Sequence, residues 1–247
     1  MTGSGADWWR AAFAEHYSEV YHHRDDASAA AEIAGLLPRL RAAPGPVLDA
    51  CCGGGRHLAA MRAAGLDAYG FDFSAQLIAQ AQARKECAGR VVRGDMRAPP
   101  FTFGIGAITL LFTAFGYFDD AGNAACLNGL GKRLLPGGWL ILDLPNRVRV
   151  QSSLISASKR ITPEGFEVDE RRALRGPRVE KKVVLRRDGE VVSSWLESVR
   201  LYEVAEVSAL AAAYGLQLVD HWPGLHGPDM DEGRSVCWLR RLRESEY

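Results

Sequence analysis

Val47-Leu48-Asp49-Ala50-Cys51-Cys52-Gly53-Gly54-Gly55-Arg56-His57 decides the fold of this chain. An apolar run ends in an acid, three glycines follow, and an alanine-rich segment of helical character begins. This order reads as a strand, a tight turn and a helix start. Glycines belong where a backbone turns sharply and lets a ligand approach without a Cβ in the way. The unpaired N–H groups of the following helix face the same crevice. A nucleotide-like ligand is the first expectation.

Two more acids repeat the arrangement. Asp72 closes the apolar run Ala68-Tyr69-Gly70-Phe71, roughly 20 residues on, where doubly wound folds set a carboxylate against ribose hydroxyls. Asp95 closes Val91-Val92-Arg93-Gly94. A carboxylate is a pure acceptor and takes two O–H donors at once. Three acids at the ends of successive strands line one edge of a sheet.

Outward from this centre, strands are read at 47–50, 67–72, 90–94, 106–112 and 139–144. Helices are read at 55–64, from Ser74 to Ala88, and at 120–134. Alternating strands and helices argue for a parallel sheet covered on both faces. Upstream, Trp9, Phe13, Tyr17, Val20 and Tyr21 stripe a helix over 7–23, and a second helix starts near Ser28 and stops before Pro44-Gly45-Pro46. Over 148–203 the rhythm changes to long alternating runs, Glu167–Arg175, Arg178–Arg187 and Val191–Tyr202, with a hairpin signal at Asp188-Gly189. A helix over 203–214 and strands at 216–222 and 234–242 complete the chain. The reading is one domain, residues 1–247. Its parts are N-terminal lid helices over 1–43, a binding core over 44–147, an antiparallel cap over 148–203, and the last part of the core sheet over 204–247.

The quoted motifs, with Gly70-Phe71-Asp72-Phe73-Ser74, Gly94-Asp95-Met96 and Leu135-Pro136-Gly137-Gly138, resemble those of class I S-adenosylmethionine-dependent methyltransferases of the small-molecule type. The resemblance covers residues 47–147 well and the ends more loosely. It departs from the family's D-x-G-x-G-x-G at the first glycine, which is Cys51 here. It implies an α/β fold: a doubly wound, mostly parallel, seven-stranded, Rossmann-like sheet with a helical N-terminal lid and an inserted antiparallel β cap. It implies S-adenosyl-L-methionine as cofactor and methyl transfer to a nitrogen or oxygen of a small molecule.

Residue by residue, the resemblance implies that Asp49, Ala50, Gly53 and Gly55 surround the methionine part. It sets Asp72 on the ribose, Phe73 along the adenine, Asp95 on the adenine amino group and Met96 against the ring. Phe112 and Thr113 fall where cofactor and acceptor meet. Tyr17 and Tyr21, with Arg24 nearby, belong to a lid helix. His57 points toward the cofactor carboxylate or packs in the core. No catalytic base stands out; His221, His226 and Tyr117 are candidates, since a His has the pKa to take a proton from an acceptor.

Bulk properties restrict partners. Thirty basic residues balance thirty acidic ones, so the global field that gathers nucleic acid or anionic membrane is absent. Residues 159–187 nevertheless hold ten Lys or Arg against five Asp or Glu. Arg171, Arg175 and Arg200 are therefore candidates for an anionic acceptor. Five cysteines without a CxxC, and an N-terminus without a signal-peptide pattern, lead to the expectation of a cytoplasmic protein with reduced thiols and no metal. Alternatives are a nucleic-acid methyltransferase, a cofactor-binding protein that does not methylate, and an NAD-dependent dehydrogenase. The last is opposed by Leu58 at the third glycine of G-x-G-x-x-G.

Overall fold

The computed structural model describes residues 8–12, 20, 21 and 25–243. Among the described residues the strands form two sheets. The larger contains β1 (Val47–Ala50), β2 (Ala68–Asp72), β3 (Val91–Arg93), β4 (Ile105–Leu110), β5 (Leu134–Pro145), β10 (Leu216–Trp222) and β11 (Arg234–Arg241), in the order β10-β11-β5-β4-β1-β2-β3. The five strands from β5 to β3 run parallel, whereas β11 is antiparallel to both β5 and β10. The smaller sheet is the antiparallel meander β6 (Ala157–Ile161), β7 (Glu167–Arg175), β8 (Arg178–Arg187) and β9 (Glu190–Arg200).

Successive strand residues point to opposite faces, and this sorts the core into two layers. Leu48, Ile108, Leu140 and Leu142 pack in one apolar cluster, and their neighbours Val47, Ala107 and Ile141 in the other. The central strands β1 and β4 are buried at every position. A parallel sheet covered on both sides requires such continuous apolar runs. The covering helices are α1 (Trp8–Ala12), α2 (Asp26–Arg41), α3 (Arg56–Ala63), α4 (Ala75–Gln82), α5 (Asp120–Gly131), α6 (Arg147–Ser152) and α7 (Val204–Ala212).

Several boundaries differ from the sequence reading. Asp25 rather than Ser28 caps α2, accepting from the Ser28 N–H at 2.8 Å. Helix α4 ends at Gln82, not Ala88, and β4 ends at Leu110 because Phe112 turns into left-handed backbone. Strand β5 starts at Leu134 and runs through Pro136-Gly137-Gly138. Helix α6 and strand β6 lie in a stretch where the sequence offered no clear period. Tyr17, Arg24 and most of the helix expected over 7–23 lie outside the described residues. All five cysteines are free. Among the described residues no helix is long and apolar enough to cross a membrane, and no cluster of His, Cys, Asp or Glu could hold a metal ion.

The turn into β1 crosses β4 at close range. A Cβ on Gly106 would stand 2.4 Å from the Gly45 N and 2.6 Å from its carbonyl oxygen, both backbone atoms with no freedom to swing away. Gly106→Ala is expected to cost about 1–3 kcal/mol, the usual penalty of overpacking, read as a lower urea midpoint at unchanged slope. A midpoint equal to that of the parent would contradict this close approach.

Candidate functional site

The parallel order brings the three acids to one edge. Asp49 is the penultimate residue of β1, Asp72 ends β2, and Asp95 follows β3. Asp72 accepts from the Gly53 N–H at 2.9 Å and from the Ser74 N–H at 2.8 Å. The second bond tightens the start of α4, whose cap is Ser74. Each oxygen of Asp72 keeps a lone pair free for a further donor. Burial raises the pKa of Asp72. Asp95 is gripped by its neighbour: Arg97 donates to it from Nε, Nη2 and the backbone N–H. Burial pushes the Asp95 pKa up, but these bonds outweigh it and hold the carboxyl below its usual range.

Asp49 is the most deeply placed of the three, 2 % exposed. Its Oδ1 accepts from the Thr109 hydroxyl at 3.1 Å, and its Oδ2 has no partner. An unpartnered buried oxygen is costly, and burial pushes the pKa up to about 7 against partial relief from Thr109 and Arg56.

The turn after Asp49 explains the departure from the glycine pattern. Cys51 has φ 60°, the left-handed region that favours glycine. The chain keeps the backbone shape and accepts strain on the order of 1 kcal/mol for the side chain. The Cys51 sulfur lies 3.8 Å from the Met96 sulfur. Gly55 is needed for packing: at φ 79°, its Cβ would meet Ala81 at 3.0 Å and the Cys87 sulfur at 3.1 Å. Gly53 faces open space, with nothing nearer than Leu77 at 3.9 Å.

Three clefts adjoin here, and Phe112 lines all of them. The first, largely apolar, runs from Gly53 and Asp72 past Phe73, Leu77, Asp95 and Met96. Trp9 of α1 stands edge-on to Phe73 at 4.4 Å between ring centres. The second lies on the other side of the glycine turn, between Asp49, Arg56, His57 and Gln80. The third is a chamber of about 270 Å³ between Phe112-Thr113, Val150, Leu154, α1 and the antiparallel sheet.

Phe112 and Thr113 have φ 55° and 65°. Two consecutive left-handed residues with side chains persist only where surrounding bonds hold them. The Phe112 N–H donates to Asp143 Oδ2 at 2.7 Å, and the Thr113 N–H donates to the Asp143 carbonyl at 3.1 Å. Asp143 is fully buried and bound by both Nε and Nη2 of Arg234, at 2.5 and 2.6 Å. The loop that follows is fixed from the cap. Arg178 donates to the carbonyls of Gly116, Tyr117 and Phe118.

The chamber is apolar at Trp8, Val179 and Val199 and polar at one end. There the Tyr21 hydroxyl donates to Glu197 Oε1 at 2.7 Å, Lys181 pairs with Glu197 at 2.8 Å and donates to the Tyr21 hydroxyl, and the Trp195 indole N–H reaches Glu197 at 3.0 Å. Glu197 is the one carboxylate among the described residues lining the chamber.

Most of the sequence-derived candidates converge. Asp72, Phe73, Asp95 and Met96 line the first cleft, Asp49 and His57 the second, Gly53 both, Thr113 the chamber, and Tyr21 the chamber and second cleft. Tyr117 borders the first cleft and the chamber. Ala50 and Gly55 line none of the three. His57 is bonded in the core and lines the second cleft as well: its Nε2 meets the buried Glu32 at 2.7 Å, and burial lowers its pKa. His221 bonds Ser235 and His226 bonds Glu232, and neither lines any of these clefts. The anionic-acceptor candidates are corrected. Arg171 and Arg175 have side chains 76 % and 72 % exposed, and Arg200 is held by Glu206. Strand alternation explains the miss, because Arg172, next to Arg171, faces the chamber with Lys181. The sequence also missed Glu197 and Asp143; on strands of unknown facing nothing marks them.

A family profile described as a methyltransferase domain matches residues 47–138. No relative is found among curated protein sequences. The CcbJ methyltransferase of Streptomyces caelestis superposes with TM-score 0.76 at 16 % identity, covering 97 % of this chain and 100 % of the other. The sugar N-methyltransferase KedS8 of a Streptoalloteichus species gives 0.72 at 24 %, covering 93 % and 94 %. The amino pentose methyltransferase CalS10 of Micromonospora echinaspora, involved in calicheamicin biosynthesis, gives 0.70 at 23 %, covering 92 % and 97 %. These likenesses fix the fold as the Rossmann-like one that the motifs implied. The motif resemblance itself is borne out by the profile match.

Asp49 carries a pH signature. The folded protein holds its proton up to about pH 7, while the unfolded chain releases it near the ordinary 3.8. Stability from this group is therefore full below 3.8 and lost as pH rises to about 7. Asp49→Asn, which keeps the Thr109 bond, is expected to flatten the urea midpoint across that window and to be the more stable form above it. A parallel pH dependence in parent and variant would contradict the burial of this charge.

Proposed function

We infer, for a chain whose residues 47–138 are a methyltransferase domain, that it methylates a nitrogen or oxygen of a small molecule held in the chamber beside Phe112. The cofactor is S-adenosyl-L-methionine. The carrying observation is the meeting of three clefts at one residue: a transferase must bring donor and acceptor together at a dry junction, and Phe112 stands at it.

The residues present fit such a cofactor. The first cleft offers a flat apolar slot between Phe73, Met96 and Leu77, with Asp72 able to accept from two ribose hydroxyls and Asp95 from an exocyclic amine. The open face of Gly53 leaves room for a ligand against the backbone. In the second cleft the unpartnered Asp49 oxygen suits an ammonium, and Arg56 suits a carboxylate. The cofactor supplies a methyl group already activated on a sulfonium.

What remains for the protein is placement and proton handling. Trp8, Phe112, Tyr117 and Val199 line the junction with apolar surface. Chamber walls that hold the acceptor atom at attack distance, in line with the bond that breaks, supply much of the rate. The acceptor's lone pair forms the new bond to the methyl carbon, and the acceptor gives up a proton. Glu197, held by Tyr21, Lys181 and Trp195, is the carboxylate of the chamber lining that can accept it. KedS8, a sugar N-methyltransferase, and CalS10, an amino pentose methyltransferase, support a nitrogen acceptor over an oxygen one.

The rival readings lack such support. A chamber of about 270 Å³ matches a metabolite-sized acceptor, and a net charge of zero gives no global field to gather nucleic acid. A dinucleotide fingerprint would need glycine at Leu58, which is fully buried against the core.

Asp72→Ala should weaken S-adenosylhomocysteine binding at least about tenfold, because two ribose hydroxyls lose their acceptor. Isothermal titration at a temperature well below the variant's melting point reads it. Equal affinity in parent and variant, or tighter binding of NAD than of S-adenosylhomocysteine by the parent, would reject this placement.

A further inference from the structure

The strained pair Phe112-Thr113 is not held by its own strand. Asp143 comes from β5, and Arg234 from β11, the antiparallel strand next to it, where Val236 pairs with Asp143 in register. Arg234 does two things at once. Its guanidinium binds both oxygens of Asp143, and its Cζ stands 5.1 Å from the centre of the Phe112 ring. Arg56 approaches the same ring at 4.3 Å, and the His57 ring lies at 5.3 Å. Phe112 is thus fixed at its backbone by a carboxylate and at its ring by two guanidiniums and an imidazole. Arg56 and His57 belong to the second cleft; Phe112 also borders the first, but the walls assigned there to the purine, Trp9, Phe73 and Met96, make no bond to Asp143 or Arg234.

We propose that the pair of buried Asp143 and half-buried Arg234 is a positioning device for methyl transfer: it holds Phe112 and, through the ring stack, Arg56 and His57 in the geometry that receives the amino-acid end of the cofactor and separates it from the acceptor chamber. The pair touches no cofactor or acceptor cleft directly through Asp143, so its action passes through Phe112. A lysine does not replace it in full, since an ammonium is a compact point charge without the planar fork that meets both carboxylate oxygens side by side and lies on the ring. This proposal rests on the assignment of the two clefts above.

Three proteins test it: the parent, Arg234→Met, which keeps much of the side-chain length without the charge, and Arg234→Lys, which keeps the charge without the fork. Each is titrated calorimetrically with S-adenosylhomocysteine and with 5′-methylthioadenosine, which keeps adenine, ribose and sulfur but lacks the amino-acid end. Thermal melting sets a temperature at which every protein is folded. Arg234→Met is expected to weaken S-adenosylhomocysteine about tenfold or more and methylthioadenosine less than about threefold, with Arg234→Lys between it and the parent. Equal affinities in all three proteins would overturn the proposal, and so would an equal weakening of both ligands, which general loosening produces. Should Arg234→Met fail to fold, the comparison of parent and Arg234→Lys carries the same two readings. A parent that binds neither ligand would refute the cleft assignment instead.

Discussion

Everything at this site depends on buried carboxylates at the ends of parallel strands. A charge in a protein interior is expensive unless bonds compensate it, and each acid here is compensated differently. Asp72 takes two backbone N–H groups, Asp143 takes a guanidinium and the Phe112 N–H, and Asp49 is left with one unpartnered oxygen. The first two bonds shape backbone: one closes the glycine turn onto β2, the other keeps Phe112 in left-handed conformation. The third is an unmet demand on a residue that lines the cleft beside the glycine turn. Structure and binding capacity thus come from the same few charges.

The sheet makes this arrangement available. Apolar residues on both faces of β1 and β4 fix the strands in a covered parallel core, and their carboxyl ends must then open on one side. The antiparallel β11 adds Arg234 from the far end of the chain, and the meander β6–β9 adds Lys181 and Glu197 over the opening. A crevice formed by local motifs is therefore completed by residues far away in sequence.

That division explains what could be read from the sequence. Asp49, Gly53, Asp72, Phe73, Asp95 and Met96 were legible because each sits within a few residues of a strand end, where spacing alone fixes position. Cys51 was legible as a departure, and its positive φ shows that the backbone, not the residue type, is what the motif demands. The chamber was not legible. Arg171 and Arg172 are adjacent on β7, and only the facing of the strand tells which one points inward: Arg172 lines the chamber and Arg171 is exposed. Asp143 reads in sequence as one more polar residue before a turn; its meaning comes from Arg234, about ninety residues later.

The most direct measurement is a crystal structure of the chain with S-adenosylhomocysteine. The account requires the purine between Phe73 and Met96, the homocysteine nitrogen at the Asp49 side of the glycine turn, and the sulfur facing the chamber past Phe112. A purine bound elsewhere, or a sulfur turned toward bulk solvent with the chamber walled off behind Phe112, would contradict it.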